Sequence, residues 1–528
     1  MSYVARMGWG GRHTYQEQIV LLYMITNEYG YLFDWKLYNN GTVITANDMR
    51  LIDALKSLPK TTLVYVKNLE QVRAFLYDDI HKDHGISIDW GSNIEFRPWT
   101  LFTSEDEVNV MTDWQNLFNE DKFPYLTPSQ YARKQIAKTQ AGKAKDLLPE
   151  DHVDLACIYK AVQPGVLYCR DDEIHENVIG LDLSSAYIYS LVFCKHACSA
   201  PKDTNPNDWE LYLNAEDRAS IGCYKITYKC FFSIIHCFKD INGQSLDKGK
   251  HTVEIMLSNI DLQLLMTIPQ FQIESIECEL LYTFKMDYLP EDIRIFCIQQ
   301  YLIKCGLTKE TAAYIRQKVI LNSVYGNMLY DTGRIINSDN PKRELWLRAK
   351  NASVCPQWGI FTMSYTKQAV VEFGIKAAGY LYSDTDSVYC FDDTTNRRLC
   401  DEFNQKIMSQ NYALCEKFGY DKIGNVDLIC KLGTFKVDSE CKRFRAWGYK
   451  TYAYEKQPYY DENGKLIKGK VVVKAAGCNK KDAETDAKIV FSEDFKPHKG
   501  TVTKVDAHKD YYVERQTYDY IIDAMMKK

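Results

Sequence analysis

Four segments set the pattern of the chain. The run Val178 to Leu183 (VIGLDL) is short and apolar, suited to a buried strand. It runs straight into SSAYIYSLVF, whose serines are helix-capping residues, so a strand is predicted to hand over to a helix at Asp182. From Thr308 to Tyr325 there is neither proline nor glycine, and Ile315, Val319, Asn322 and Tyr325 fall at helical spacing, with Gly326 as the predicted stop. In GYLYSDTDSVYCF, apolar and aromatic residues flank a polar centre, the pattern of two strands joined by a tight turn. The acidic residues fall at that turn.

Length turns this pattern into a multidomain expectation, because 528 residues exceed what one core ordinarily holds. Hydrophobic residues make up 46% and charged residues 26%, a globular balance without repeats or low-complexity tracts. No run of about 18 apolar residues is present, so no membrane partner is expected. The opening MSYVARMGWGGRHTYQEQ has no apolar signal core, which makes the reducing cytoplasm the expected location. The 17 cysteines contain no CxxC pair and read as free thiols. Cys194, His196 and Cys198, with Cys230, His236 and Cys237 downstream, depart from the two-and-two spacing of structural zinc.

A net charge of −5 gives no global attraction to nucleic acid. Phosphate binding must then come from local basic stretches, of which two exist. One holds Lys304, Lys309, Arg316 and Lys318; the other holds Lys431, Lys436, Lys442, Arg443, Arg445 and Lys450. Either stretch alone reads equally well as a solvated charged face.

Phosphoryl transfer needs hard oxygen ligands that hold divalent cations. Asp182 at a strand end and Asp384 with Asp386 at a hairpin turn would supply them if neighbouring strands brought the carboxylates together. Singly, each is ordinary: an Asp before a helix is usually a cap and a D-x-D turn usually a turn. Their order carries more. Asp182-Leu183-Ser184-Ser185-Ala186-Tyr187 is followed by a segment running from Lys318 through Asn322, Ser323 and Tyr325 to Gly326, and then by Tyr382-Ser383-Asp384-Thr385-Asp386-Ser387. In sequence order these resemble the palm and fingers motifs of family B DNA polymerases. Lys450-Thr451-Tyr452 resembles the family's K-x-Y motif in the KTY form of its protein-primed, phage-type members, and Met256 to Leu265 and Val473 to Cys478 look like further segments of that subfamily.

The resemblance implies an α+β multidomain fold: a right-hand polymerase of palm, fingers and thumb behind an N-terminal exonuclease-like α/β domain. It implies two Mg²⁺ or Mn²⁺ ions held by Asp182 and Asp386 and the Leu183 carbonyl, with Asp384 as an auxiliary carboxylate. The amides of Ser184 to Tyr187 would cradle the dNTP phosphates at a helix N-terminus. Lys318 would bind the triphosphate, with Arg316, Lys304 and Lys309 as weaker candidates. Asn322 and Tyr325 would line the nascent pair, four and seven residues along the helix from Lys318. Ser323, Gly326 and Thr385 would meet the nucleic acid. Tyr187 would exclude a 2′-hydroxyl, making DNA the product. Lys450 and Tyr452, alternating on a predicted strand, would seat the primer.

Some positions depart from that pattern. Tyr187-Ile188 replaces the usual Tyr-Pro, and the Y-x-G-G linker survives only as Val162-Gln163-Pro164-Gly165. In the N-terminal region, Leu63 to Phe75 resembles an exonuclease segment with Val72 in the place of its Asp, and Thr127 to Ala137 resembles another with Arg133 and Ala137 in the places of its Tyr and Asp. The first exonuclease segment has no D-x-E, only Met7-Gly8-Trp9-Gly10-Gly11. Valine and alanine ligate no metal, so proofreading is not expected, and a different N-terminal fold stays open.

The expected division is an exonuclease-like domain at 1–150, palm with insertion at 151–300, fingers at 301–330, palm at 331–455 and thumb at 456–528. The expected activity is template-directed DNA synthesis (a nucleotidyltransferase) on a DNA template and primer, with a terminal protein as possible primer. A domesticated polymerase for repair or defence is the second enzymatic reading. An inactive nucleic-acid-binding relic is the non-enzymatic one.

Overall fold

The structure is a computed structural model and describes residues 18–26, 32–39, 42–58, 62–66, 95–98, 131–133, 135–136, 146–231, 235–309, 312–329, 355–460, 466–467, 469–475, 490–492, 502–507 and 510–515. Val72, Ala137 and the 7–11 segment lie outside these residues. The chain divides into two compact units. One comprises Met1–Tyr131, Leu307–Val319 and His498–Lys528; the other comprises Ala132–Gly306 and Ile320–Pro497.

The first unit holds a mixed sheet of β1 (Gln18–Thr26), β2 (Leu32–Asn39), β3 (Thr42–Thr45), β4 (Thr62–Val66) and β5 (Glu95–Pro98), in the order β3-β2-β1-β4-β5. The β1/β4 and β4/β5 pairs are parallel and the others antiparallel. Parallel pairing demands a crossover, and α1 (Leu51–Lys56) falls between β3 and β4. Leu22, Trp35, Leu37, Leu51 and Leu55 are buried.

The second unit begins with α2 (His152–Tyr159), β6 (Val166–Cys169), β7 (His175–Leu183) and α3 (Ala186–Phe193). A five-stranded sheet follows: β8 (Lys195–Ala197), β9 (Lys202–Thr204), β10 (Arg218–Cys230), β11 (Gly249–Ser258) and β12 (Gln272–Tyr288), with α4 (Asn259–Thr267) between the last two. Then come α5 (Glu291–Cys305), α6 (Ala312–Met328), whose residues up to Val319 are counted with the first unit, α7 (Pro356–Lys376), β13 (Tyr382–Thr385), β14 (Ser387–Phe391), α8 (Thr394–Phe418), α9 (Val426–Cys430), β15 (Phe435–Gly448) and β16 (Thr451–Lys456). The short pair β17 (Tyr459–Tyr460) and β18 (Leu466–Ile467) precedes β19 (Val471–Ala475). In the first unit, β20 (Val502–Ala507) and β21 (Asp510–Arg515) form a ribbon.

The central feature of the second unit is a seven-stranded antiparallel sheet in the order β19-β16-β15-β7-β14-β13-β6. Its inner face buries Ile179, Leu181, Leu183, Val388, Cys390 and Phe435 in one core with Val370 and Phe373 of α7. Behind it, Lys367 of α7 and Asp261 of α4 form an ion pair at 2.7 Å with side chains 0% and 1% exposed. Ser364 donates to the other Asp261 oxygen at 2.9 Å.

The helix predicted to stop at Gly326 runs two residues further, to Met328. Glycine costs a helix interior about 1 kcal/mol, less than the burial of a methionine gains, and Met328 is 1% exposed. Among the described residues no helix is long and apolar enough to cross a membrane.

Candidate active site

The strand-to-helix segment and the hairpin turn, 200 residues apart in sequence, meet at the sheet centre. Strand β7 pairs with β14 on one side and β15 on the other, so Asp182 has Ser387 as one cross-strand partner and Lys436 as the other. The Leu183 amide donates to the Asp386 carbonyl at 2.9 Å, which fixes the turn against the strand end. Period-two alternation explains the exposure of the carboxylate: Leu183 and Phe435 face the core, so Asp182 and Lys436 emerge on the opposite face.

The hairpin turn is knotted by its own side chains. Thr385 donates to the Asp384 carboxylate at 3.0 Å, Ser387 donates to the Asp384 carbonyl at 3.1 Å, and the Asp386 amide donates to that carbonyl at 2.8 Å. Thr385 holds a φ of 63°, a conformation rare for a β-branched residue. Ser185 (φ 49°) and Lys450 (φ 58°) also occupy the left-handed region. Strain of this kind costs on the order of 1–3 kcal/mol per residue and concentrates at functional sites.

Burial, and then the Asp182 charge, push the Asp386 carboxyl up to about 7. Lysines pair with the two neighbouring carboxylates: Lys436 Nζ lies 2.9 Å from Asp182 and Lys450 Nζ lies 3.7 Å from Asp384. Asp386 thus resists ionisation through burial and the charge of Asp182, while among the described residues Asp182, Asp384 and Asp386 do not bring three ligand atoms within 4.8 Å of one another.

Helix α3 starts at Ala186 behind Ser185. The Ser184 amide donates to the Thr434 carbonyl at 2.8 Å, while the Gly433 amide donates to the Ser184 carbonyl at 2.9 Å. Gly433 has a φ of 77°, and a Cβ there would strike the Tyr189 ring. Ser184 is therefore committed to the fold, which leaves Ser185, Ala186 and Tyr187 as the amides of the expected phosphate cradle. Lys304 of α5 donates to the Ser185 hydroxyl at 2.6 Å.

Tyr187 and Tyr325 stack, with ring centroids 4.2 Å apart and planes 18° from parallel. Burial pushes the Tyr187 hydroxyl up to about 12 and raises that of Tyr325 as well, so both phenols stay neutral. On α6, Asn322, Gly326 and Lys318 are exposed while Ser323, Arg316 and Tyr325 are half-buried. A Cβ on Gly326 would meet open space.

Lys450 does not alternate along a strand with Tyr452. It occupies the turn between β15 and β16, donating its amide to the Tyr382 hydroxyl at 2.9 Å. Its side chain nonetheless reaches the hairpin carboxylate. Tyr452 packs with Tyr382 (4.8 Å) and Tyr389 (5.4 Å) beneath the same hairpin.

Parts of the basic stretch from Lys431 to Lys450 serve the fold. Arg443 pairs with Glu455 at 2.7 Å, and Arg445 donates to the carbonyls of Asp172 and Ser492. In the linker, Gln163 is buried and bonds Lys239 and Met256, while a Cβ on Gly165 would lie 3.1 Å from the Thr385 side chain. Val162 to Gly165 thus backs the hairpin turn.

Among the described residues, Cys194, His196, Cys198, Cys230, His236 and Cys237 form no common ligand set. His196 is committed to hydrogen bonds with Cys194 and Thr362, and burial drives its pKa down to about 4. Asp171, Glu173 and His175, which the sequence reading passed over, bring ligand atoms within 4.8 Å of one another. Asp171 is already compensated by Arg170 at 2.7 Å and His175 at 2.6 Å.

No protein-family model matches the chain, and no curated protein sequence matches it. Solved structures do. Phi29 DNA polymerase complexed with primer-template DNA matches at a TM-score of 0.62 and 14% identity, covering 94% of this chain and 99% of that one. The same polymerase with single-stranded DNA matches at 0.64 and 13%, again over 94% and 99%, and its ternary complex with primer-template DNA and incoming nucleotides at 0.61 and 14%, over 94% and 98%. Over nearly its whole length, this chain has a mixed α and β fold similar to that of a DNA polymerase.

Proposed function

We propose that this chain is a template-directed DNA polymerase that adds deoxynucleotides to a primer 3′ end by two-metal phosphoryl transfer. The observation that carries the reading is that the strand end holding Asp182 is joined to the turn holding Asp386, the Leu183 amide donating to the Asp386 carbonyl at 2.9 Å. The fold shared with Phi29 DNA polymerase supports it.

Asp182 and Asp386, with the Leu183 carbonyl, would hold Mg²⁺ or Mn²⁺, and Asp384 would serve as an auxiliary carboxylate. When bound, the cations would activate the attacking oxygen and neutralise the leaving phosphates. The protein's own part is positioning. Amides from Ser185 to Tyr187 would hold phosphate oxygens, helped by Lys318 and by Lys304 beside Ser185. Tyr325, Asn322 and Gly326 would flank the nascent pair with Ser323, and the stacked Tyr187 ring would close the space that a 2′-hydroxyl needs. Lys450 and Tyr452 would seat the primer strand beside Thr385, a salt-sensitive contact.

Two finer statements belong to the same reading. The chain would lack 3′–5′ exonuclease activity, because Val72 and Ala137 stand where carboxylates are needed. A terminal-protein hydroxyl would serve as primer, as the KTY form at Lys450 to Tyr452 implies.

Primer extension on a defined template with Mg²⁺ or Mn²⁺ tests the proposal, with transfer of a labelled nucleotide to a partner protein as second readout. Failure with every primer, DNA or protein, would favour a nucleic-acid-binding relic.

A further inference from the structure

Lys436 has no place in the motifs that mark the candidate site, yet its ammonium lies 2.9 Å from the carboxylate of Asp182. The contact is built into the sheet. Lys436 and Asp182 are direct cross-strand partners on β15 and β7, so their side chains emerge on the same face. The adjacent pair, Phe435 and Leu183, is locked in the core and fixes that register. Lys436 is 53% exposed and Asp182 29%, so the ammonium reaches in from solvent on a flexible stem rather than being trapped.

We propose that Lys436 is a resident counter-ion of Asp182, pairing with the same carboxylate that a divalent cation must claim and thereby setting the cation concentration at which the site fills. The inference rests on the reading of Asp182 as a metal ligand. Its logic is competition. The lysine neutralises a carboxylate that would otherwise face Asp386 unscreened, and it must swing aside when a cation binds. Its charge also acts on Asp386, so a cation that displaces it takes over the screening of both carboxylates. A positive charge kept this close also opposes the approach of another cation.

Mn²⁺ binding to the full chain, followed by the electron paramagnetic resonance of free Mn²⁺ without nucleic acid or nucleotide, tests this. K436Q should bind Mn²⁺ roughly two- to tenfold more tightly than the natural chain, the range expected for loss of an exposed to half-buried ion pair. K436R keeps the charge and should stay within about twofold. D182N should lose the site. If D182N loses it while K436Q binds no more tightly, the counter-ion role is wrong and the metal-ligand reading stands. If D182N binds like the natural chain, both fall. A K436Q variant that weakens triphosphate binding and leaves Mn²⁺ affinity unchanged would make Lys436 a phosphate contact instead, which also overturns the inference.

Discussion

Tyr187 and Tyr325 stack face to face, 4.2 Å between centroids, although 138 positions separate them along the chain. One ring belongs to the helix that follows Asp182 and the other to the helix that carries Asn322. A rigid aromatic wall of this kind selects by shape. Replacing Tyr187 with Val opens the wall, and ribonucleotide rejection should fall by roughly 10- to 200-fold, the range over which steric pockets discriminate. The ratio of kcat/KM for a deoxynucleotide and its ribonucleotide counterpart checks this. Unchanged rejection would remove Tyr187 from the role.

The buried pair of Lys367 and Asp261 gives a stability prediction. Removing one partner strands a charge in the core, so K367M should destabilise the second unit by about 3–5 kcal/mol. D261L with K367M, which removes both charges, should recover most of that loss. Thermal unfolding of the three proteins checks it. Equal melting temperatures for K367M and the natural chain would contradict the pair's importance.

Gly433 tests how the turn after Asp182 is held. Alanine there must adopt a φ of 77° and find room against the Tyr189 ring. The left-handed conformation alone costs roughly 1–2 kcal/mol. G433A should therefore lower both stability and primer-extension rate, because the Ser184 to Thr434 pairing depends on the loop. Full activity in G433A would show that the loop does not position the site.

Much of this was legible in the sequence, and the reason is local. Asp182 stands where an apolar strand gives way to a pair of serines before a helix, although Ser185 makes no side-chain cap there, and Asp384 and Asp386 stand at the polar centre of an alternating hairpin, so short-range pattern marks both. What was not legible depends on distant pairing. Lys436 becomes a neighbour of Asp182 only once β15 lies beside β7, a register no nearby residue announces. Tyr187 meeting Tyr325 is the same kind of fact. Lys450 misled because a turn residue with positive φ looks, in sequence, like one more strand position. Gly326 misled because burial of Met328 outweighs the local stop signal.

The absence of proofreading is checked without synthesis. A primer labelled at its 3′-terminal nucleotide, incubated with Mg²⁺ and no nucleotides, should release no label. Release that persists when Asp182 and Asp386 are replaced would contradict the proposal that Val72 and Ala137 leave the N-terminal region without exonuclease chemistry.

Template-directed primer extension by the natural chain beside D182N and D386N tests the central claim. The natural chain should copy the template in Mg²⁺ or Mn²⁺, and each asparagine variant, folded to the same melting temperature, should lose about a hundred- to a thousandfold in rate, as loss of a group that stabilises the transition state directly does. Extension that survives in either variant would show that these two carboxylates do not hold the catalytic cations.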